Sequence, residues 1–174
     1  MFRSATAVAA TMALLAAGQA QAAAATTCMT QIEVRGMVAY VMPSAIGALI
    51  ERCRPALKSD AAMLTRGPQI VSELQAGQSA AFPMARQAFA KFSGADNKAT
   101  ADLFRTMPES TLKPIIESAM STELVAGVQV KNCADIDRVF GTLQPLPASN
   151  FVDLITQVLA IAARDDHKLP ICAD

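Results

Sequence analysis

The side chain best suited to acid–base and metal chemistry near neutral pH is histidine, and this 174-residue sequence contains one, His167. It follows Asp165 and Asp166, and the three side chains together could bind a metal ion or accept a proton. A histidine in a polar tail is more often solvated, and no second histidine is available to activate a serine or to share a metal ion. We therefore predict no catalytic residue, no metal site and no cofactor.

Pairs of carboxylates can carry out acid–base chemistry without histidine, provided that two of them converge in a cleft. Five glutamates fall on predicted helices: Glu33, Glu51, Glu73, Glu117 and Glu123. Each has polar neighbours along the chain, and nothing in their spacing brings two of them together. We predict that they lie on solvated helix faces, and we keep a carboxylate enzyme as the least favoured of three functional hypotheses.

The overall charge argues against a nucleic-acid partner, because 15 basic and 15 acidic side chains cancel and nucleic-acid binders normally carry a basic surface. The basic cluster Arg52, Arg54 and Lys58 lies at a predicted helix end, where cations are favourable. We interpret this cluster as a helix cap rather than an anion site. The methionines are spread along the chain, as expected for core packing rather than for a copper site.

Four phenylalanines in the middle of the chain have a spacing typical of buried helix faces. They are Phe82, Phe89, Phe92 and Phe104. We predict that they form a core cluster. The alternative is that they line an apolar pocket, and such a pocket would suit a carrier of a small apolar ligand.

The first 22 residues have the three parts of a secretory signal peptide. Arg3 supplies the positive charge, residues 5–17 form an apolar segment, and Ala-Gln-Ala at residues 20–22 fits the small-residue cleavage rule. The apolar segment falls short of the roughly 20 residues that a membrane span needs. We predict cleavage after residue 22, a mature domain over residues 23–174 without an integral membrane segment, and a periplasmic or secreted location.

The four cysteines all lie in the predicted mature domain, at Cys28, Cys53, Cys133 and Cys172. Export would place them in an oxidising compartment, where an even number of cysteines favours disulfides. No Cys-x-x-Cys motif is present to suggest redox or zinc chemistry. We predict two disulfides, and spacing alone allows three ways of pairing the cysteines.

Hydrophobic spacing predicts helices nearly throughout the mature domain and no strand. A capping box at Thr30 and Glu33 begins a first helix over residues 30–42. Pro43 is expected to end that helix, because proline lacks the backbone N–H that a helix interior uses. A second helix is predicted over residues 44–53. Gly36 and Gly47 lie inside these two helices and are expected to permit close helix packing.

A longer apolar stripe over residues 70–92 keeps its phase across Pro83, which favours one kinked helix over two, and Gly94 ends it. Shorter helices are expected at about residues 60–65, 97–107, 111–128, 135–143 and 150–162. The residues expected to point inward on the last of these helices are Phe151, Leu154, Ile155, Val158, Leu159 and Ala162. The predicted fold is all-α, a single-domain bundle of six to eight helices stapled by two disulfides.

A chain reversal at Pro43 would bring Cys28 beside Cys53, because the two helices would be antiparallel neighbours of similar length. The Pro-rich turn at residues 145–147 would similarly return the chain from Cys133 towards Cys172. These reversals predict the pairs Cys28–Cys53 and Cys133–Cys172.

Three functional hypotheses follow from the sequence, and no motif points to a family. The first is an exported, non-enzymatic interaction module that binds another protein of the cell envelope. The second is a carrier of a small apolar ligand, and the third is the carboxylate enzyme. We rank them in that order, and the support for the first is the lack of catalytic motifs together with a rigid scaffold stapled by disulfides.

Overall fold

A computed structural model describes residues 28–94, 97–143, 145–163 and 170–172. The predicted signal peptide lies outside the described residues, and so does the candidate site at His167 with its two preceding aspartates. Those predictions therefore stay predictions.

The described part of the chain contains seven α-helices and no β-strand, which confirms an all-α bundle stapled by two disulfides. The helices are α1 Gln31–Cys53, α2 Ala62–Thr65, α3 Gly67–Ser93, α4 Lys98–Thr106, α5 Glu109–Ala126, α6 Cys133–Leu143 and α7 Ala148–Ala162. The long helices α1 and α3 pack against each other as the centre of the bundle, and α5 and α7 pack on α1.

Several helix ends follow local capping rules and lie where the sequence predicts them. Thr30 and Glu33 form the predicted capping box at the start of α1, Asn97 caps α4 through its side chain, and Gly94 follows the last residue of α3. Helices α6 and α7 each begin two residues earlier than predicted. These ends depend on contacts within a single turn, so they can be predicted from a few neighbouring residues.

Pro43 does not end a helix, and the prediction of two short helices over residues 30–53 is wrong. Helix α1 continues through Pro43, which is fully buried, as α3 continues through Pro83. Proline costs a helix about 3 kcal/mol or more. Here α1 packs along α3 on both sides of Pro43, and burial of that apolar face offsets the lost hydrogen bond.

The disulfides are Cys28–Cys172 and Cys53–Cys133, so the predicted pairing is wrong. The reason is the uninterrupted α1: its 23 residues extend about 34 Å and carry Cys53 to the opposite end of the molecule from Cys28. Cys53 meets Cys133 at the start of α6. Cys28 meets Cys172 beside a parallel bridge between Met29 and Ile171. Two disulfides are typical of an oxidising extracellular or periplasmic environment.

The phenylalanines pack mainly in the core, as predicted. Phe82 and Phe89 are buried in a cluster with Tyr40, and Phe104 contacts Phe89 edge-on with ring centroids 4.9 Å apart. Phe92 is an exception, because it lies near the end of α3 and is 36% exposed. The core interpretation therefore holds for three of the four rings.

In the part of the chain that the structure describes, one helical stretch, Gln31–Ala56, is long and apolar enough to cross a membrane by length and composition, and half of its apolar window is buried inside the fold. Val130–Leu143 together with Ala148–Ala162 meets the same criterion only as one broken span. The core helix of a soluble protein also passes this test, so the finding is weak evidence for a membrane segment.

Helices α1 and α3 approach closely at Gly36, where a side chain does not fit. An ideal Cβ on Gly36 would overlap the Cβ of Met84 and lie 3.3 Å from the backbone nitrogen of Ala85. The predicted role of Gly36 in close packing is confirmed. Gly47 has nothing within 4 Å of its ideal Cβ, so the same prediction is wrong there.

We expect Gly36→Ala to lower the free energy of unfolding by about 1–3 kcal/mol, because the two helices must move apart to admit the methyl group. Gly47→Ala is the matched control. It places the same methyl group in open space in the same helix and should stabilise the protein by about 0.5–1 kcal/mol. Urea unfolding followed by far-UV circular dichroism measures both changes. Equal effects of the two substitutions would contradict the close approach at Gly36.

Candidate functional site

Helix α7 carries an exposed line of large apolar side chains. Leu154, Val158 and Ile161 are 39%, 51% and 60% exposed. Their spacing of four and three residues places them on one face of the helix, and we call them the α7 stripe. Hydrophobic spacing predicts that Leu154 and Val158 point inward, and that prediction is wrong.

The opposite face of α7 is already packed. Val152 and Thr156 lie on that face and are buried where α7 contacts α1 and α3, and Phe151 is buried in the first turn of α7 beside Phe140, with ring centroids 6.2 Å apart. The only charged residue of α7 is Asp153, whose carboxylate accepts a hydrogen bond from the Arg35 guanidinium at 2.6 Å. Helix α7 is therefore apolar on two faces and nearly uncharged, as is typical of a helix buried on both sides.

A groove of about 380 Å³ runs between α1 and α3 beside the first turn of α7. On the α1 side it is lined by Ile32, Gly36 and Ala39, and Ile32 is 70% exposed. On the α3 side the wall contains Leu74, Gly77, Ala80, Ala81 and Met84. None of the four middle phenylalanines lines it, so this groove is not the phenylalanine pocket that the sequence offers as an alternative.

The groove has few polar groups. Arg35 lines it but is paired with Asp153. Glu73 also lines it, and its carboxylate accepts a hydrogen bond from the Gln69 amide at 2.9 Å. Among the described residues, Glu73 makes no ion pair with a cationic side chain. Among the described lining residues, Glu73 therefore carries a negative charge that no ion pair neutralises.

Glu33 does not lie on a solvated face, and the prediction for it is wrong. It is 5% exposed, and its Oε2 accepts hydrogen bonds from the Lys91 Nζ and the Thr30 backbone N–H, each at 2.7 Å. The Lys91 Nζ also donates to the Cys28 carbonyl oxygen at 3.0 Å. Burial opposes ionisation of Glu33, but the bonds from Lys91 and Thr30 outweigh it and hold the pKa of Glu33 below its ordinary value.

Glu117 is also engaged inside the bundle. Its Oε1 accepts a hydrogen bond from the Tyr40 hydroxyl at 2.8 Å. The amide of Gln78 donates to the Tyr40 backbone carbonyl oxygen at 2.9 Å. Glu51, Glu73 and Glu123 are exposed as predicted. Both inward carboxylates thus hold helices together.

Tyr40 is the only tyrosine of the chain, so its ionisation can be read without interference. Burial, together with the hydrogen bond to the Glu117 carboxylate, raises the pKa of Tyr40 above its ordinary value of 10.0. A raised pKa means that Tyr40 stabilises the fold below pH 10 and that this contribution is lost as the pH rises further.

We expect no tyrosinate absorbance from the folded protein near pH 10, and we expect the signal to appear only as the chain unfolds in alkali. Protein unfolded in urea is the control and should titrate near the ordinary value. A folded protein that titrates there as well would contradict the buried Tyr40–Glu117 contact.

The basic cluster at the end of α1 makes different contacts from those of a simple cap. The Arg52 Nε donates to the Val128 carbonyl oxygen at 2.6 Å, and Arg54 pairs with Glu51 at 2.6 Å. Lys58 is exposed beyond the helix. Arg52 thus joins the end of α1 to the segment after α5.

No group of three or more histidine, cysteine, aspartate or glutamate side chains among the described residues is arranged to hold a metal ion. Comparison with protein-family models, with curated proteins and with solved structures gives no match to this chain. A signal for the stripe was present in the sequence, because α7 has more apolar residues than one buried face can take.

Proposed function

We propose that the protein is an exported, non-enzymatic interaction module of the cell envelope, periplasmic or secreted. In this proposal the α7 stripe docks on an apolar helix of a partner protein. The observation that carries it is the exposure of Leu154, Val158 and Ile161 on a helix whose other face is already buried. Contiguous exposed apolar surface of this kind marks interaction sites in soluble proteins.

The chemistry of the stripe favours a protein helix over a lipid surface. Side chains spaced four and three residues apart form a ridge that fits the groove of a second helix. Helices that lie on membranes usually carry lysine and arginine on their polar face, and the only charged residue of α7 is the acidic Asp153. The partner should therefore be apolar and uncharged where it meets α7.

The cellular location in this proposal rests on two observations. The first 22 residues have the composition of a signal peptide. Two disulfides connect the four cysteines of the predicted mature domain, and such bonds persist in oxidising compartments. A partner within the same compartment follows from this location.

The proposal can be tested with charge substitutions on α7. We expect the wild-type protein, gently extracted from its own cells, to migrate on a native gel as a complex larger than the chain alone. Val158→Lys should shift it to the size of the single chain, because a buried unpaired charge opposes docking. Gln75→Lys, on the exposed surface of α3, is the matched control and should leave the complex intact.

Three outcomes would count against the proposal. The first is a wild-type protein that migrates as the single chain. The second is a Val158→Lys variant that migrates at the same size as the wild-type complex. A complex that contains only copies of this chain, or only lipid, would place a different occupant on α7.

A further inference from the structure

We propose that the groove between α1 and α3 binds a single-chain aliphatic cation, with its chain over Gly77 and Ala81 and its ammonium group at Glu73. This second site lies beside the buried face of α7, and none of the α7 stripe residues lines it. It does not depend on the proposed protein partner.

The size of the groove suits one slender chain. Its volume of about 380 Å³ lies at the lower end of the roughly 300–1,000 Å³ range of small-molecule sites. Along α3 the lining runs from Glu73 to Met84, eleven residue steps that correspond to about 16 Å. A long, narrow site of small volume favours one extended chain over a ring system or a two-chain lipid.

The lining is apolar and built largely from glycine and alanine. Gly77 has nothing within 4 Å of its ideal Cβ, so the helix surface there is open to an incoming group. Ile32 and Leu74 form apolar walls, and Ile32 is 70% exposed. No aromatic residue is among the described lining residues, so a flat ring has nothing to stack on.

Charge complementarity selects the headgroup. The two charged lining residues are Arg35 and Glu73. Asp153 already neutralises Arg35 at 2.6 Å, whereas Glu73 faces no cationic side chain in the described part of the chain. A ligand with a cationic group can therefore pair with the Glu73 carboxylate. A ligand with an anionic group would have to compete with Asp153 for Arg35, the cationic side chain of the lining.

The test is a two-dimensional NMR titration of the oxidised protein with dodecylammonium below its micelle concentration. We expect saturable binding of one molecule per chain, with the largest shifts at Gly77 and Ala81. Gly77→Leu should weaken binding by roughly tenfold or more, because the new side chain fills the groove. Gly47→Leu is the matched control, since it also replaces a helical glycine that faces open space but does not line the groove.

The headgroup is tested with dodecanoate and with Glu73→Gln. Dodecylammonium should bind the wild type more tightly than dodecanoate does, and Glu73→Gln should weaken only the ammonium compound, by roughly two- to fivefold. Equal binding of both compounds to the wild type would overturn the headgroup assignment. Shifts centred on Val158, binding that survives Gly77→Leu, or no saturable binding at all would overturn the site.

Discussion

Replacing Cys53 and Cys133 together by alanine is expected to lower the free energy of unfolding by about 4 kcal/mol. The bond joins residues 80 positions apart, and opening a long loop restores much conformational freedom to the unfolded chain. Both cysteines are also completely buried, so the substitution removes packed sulfur atoms from the core. Urea unfolding of the double variant against the wild type measures the loss.

A thiol count on denatured protein distinguishes the observed pairing from the one predicted from the sequence. The variant Cys53→Ala/Cys133→Ala should contain no free thiol, because Cys28 and Cys172 remain bonded to each other. The control variant Cys28→Ala/Cys53→Ala should contain two. The reverse result, with two thiols in the first variant and none in the second, would show that the pairing is Cys28–Cys53 and Cys133–Cys172.

Replacing Glu33 by glutamine is expected to destabilise the protein by about 2–3 kcal/mol at neutral pH, because it removes the buried carboxylate that accepts the charged hydrogen bond from the Lys91 Nζ. The two side chains are only 7% and 11% exposed and are 2.7 Å apart. Glutamine has nearly the same shape as glutamate, so the change isolates the charge. Glu51→Gln removes an exposed carboxylate that also has a lowered pKa, and this control should shift the unfolding midpoint little.

The destabilisation by Glu33→Gln should depend on pH in one direction. The pKa of Glu33 is lower in the folded protein than its ordinary value of 4.5, so ionised Glu33 stabilises the fold in full above that value. The contribution is lost as the pH falls through the lower, folded-state pKa. The difference between wild type and Glu33→Gln should therefore shrink in acid. A difference that is constant with pH, or that grows in acid, would contradict the ion pair.

The parts of the fold that could be predicted from the sequence are those set within one or two helical turns. The caps at Thr30 and Asn97 each need only residues three positions away. The helix end predicted at Pro43 was wrong. Proline disfavours the interior of an isolated helix, but the packing of α1 on α3 keeps α1 helical through Pro43. The wrong pair Cys28–Cys53 followed from the chain reversal expected at Pro43, and the observed bonds join each of these cysteines to one of the other two.

The candidate sites were harder to predict because they depend on residues far apart in the sequence. Lys91 lies 58 residues from Glu33, so the residues near Glu33 in the sequence do not indicate that Glu33 is buried. The groove forms where α1, α3 and α7 meet. The sequence around Gly36 and Gly77 does not show that these glycines line a groove. The α7 stripe could have been predicted from the composition of α7, because this helix has more apolar residues than a single buried face can hold.

The most direct test of the proposed function is photo-crosslinking from the α7 stripe in the cells that make the protein. A photoreactive phenylalanine analogue at Val158 should give one discrete adduct with another protein, and Ile161→Lys in the same chain should abolish it. The same analogue at Gln75, exposed on α3, should give no such adduct. An absence of adducts from position 158, or the same adducts from both positions, would contradict the assignment of α7 as the docking surface.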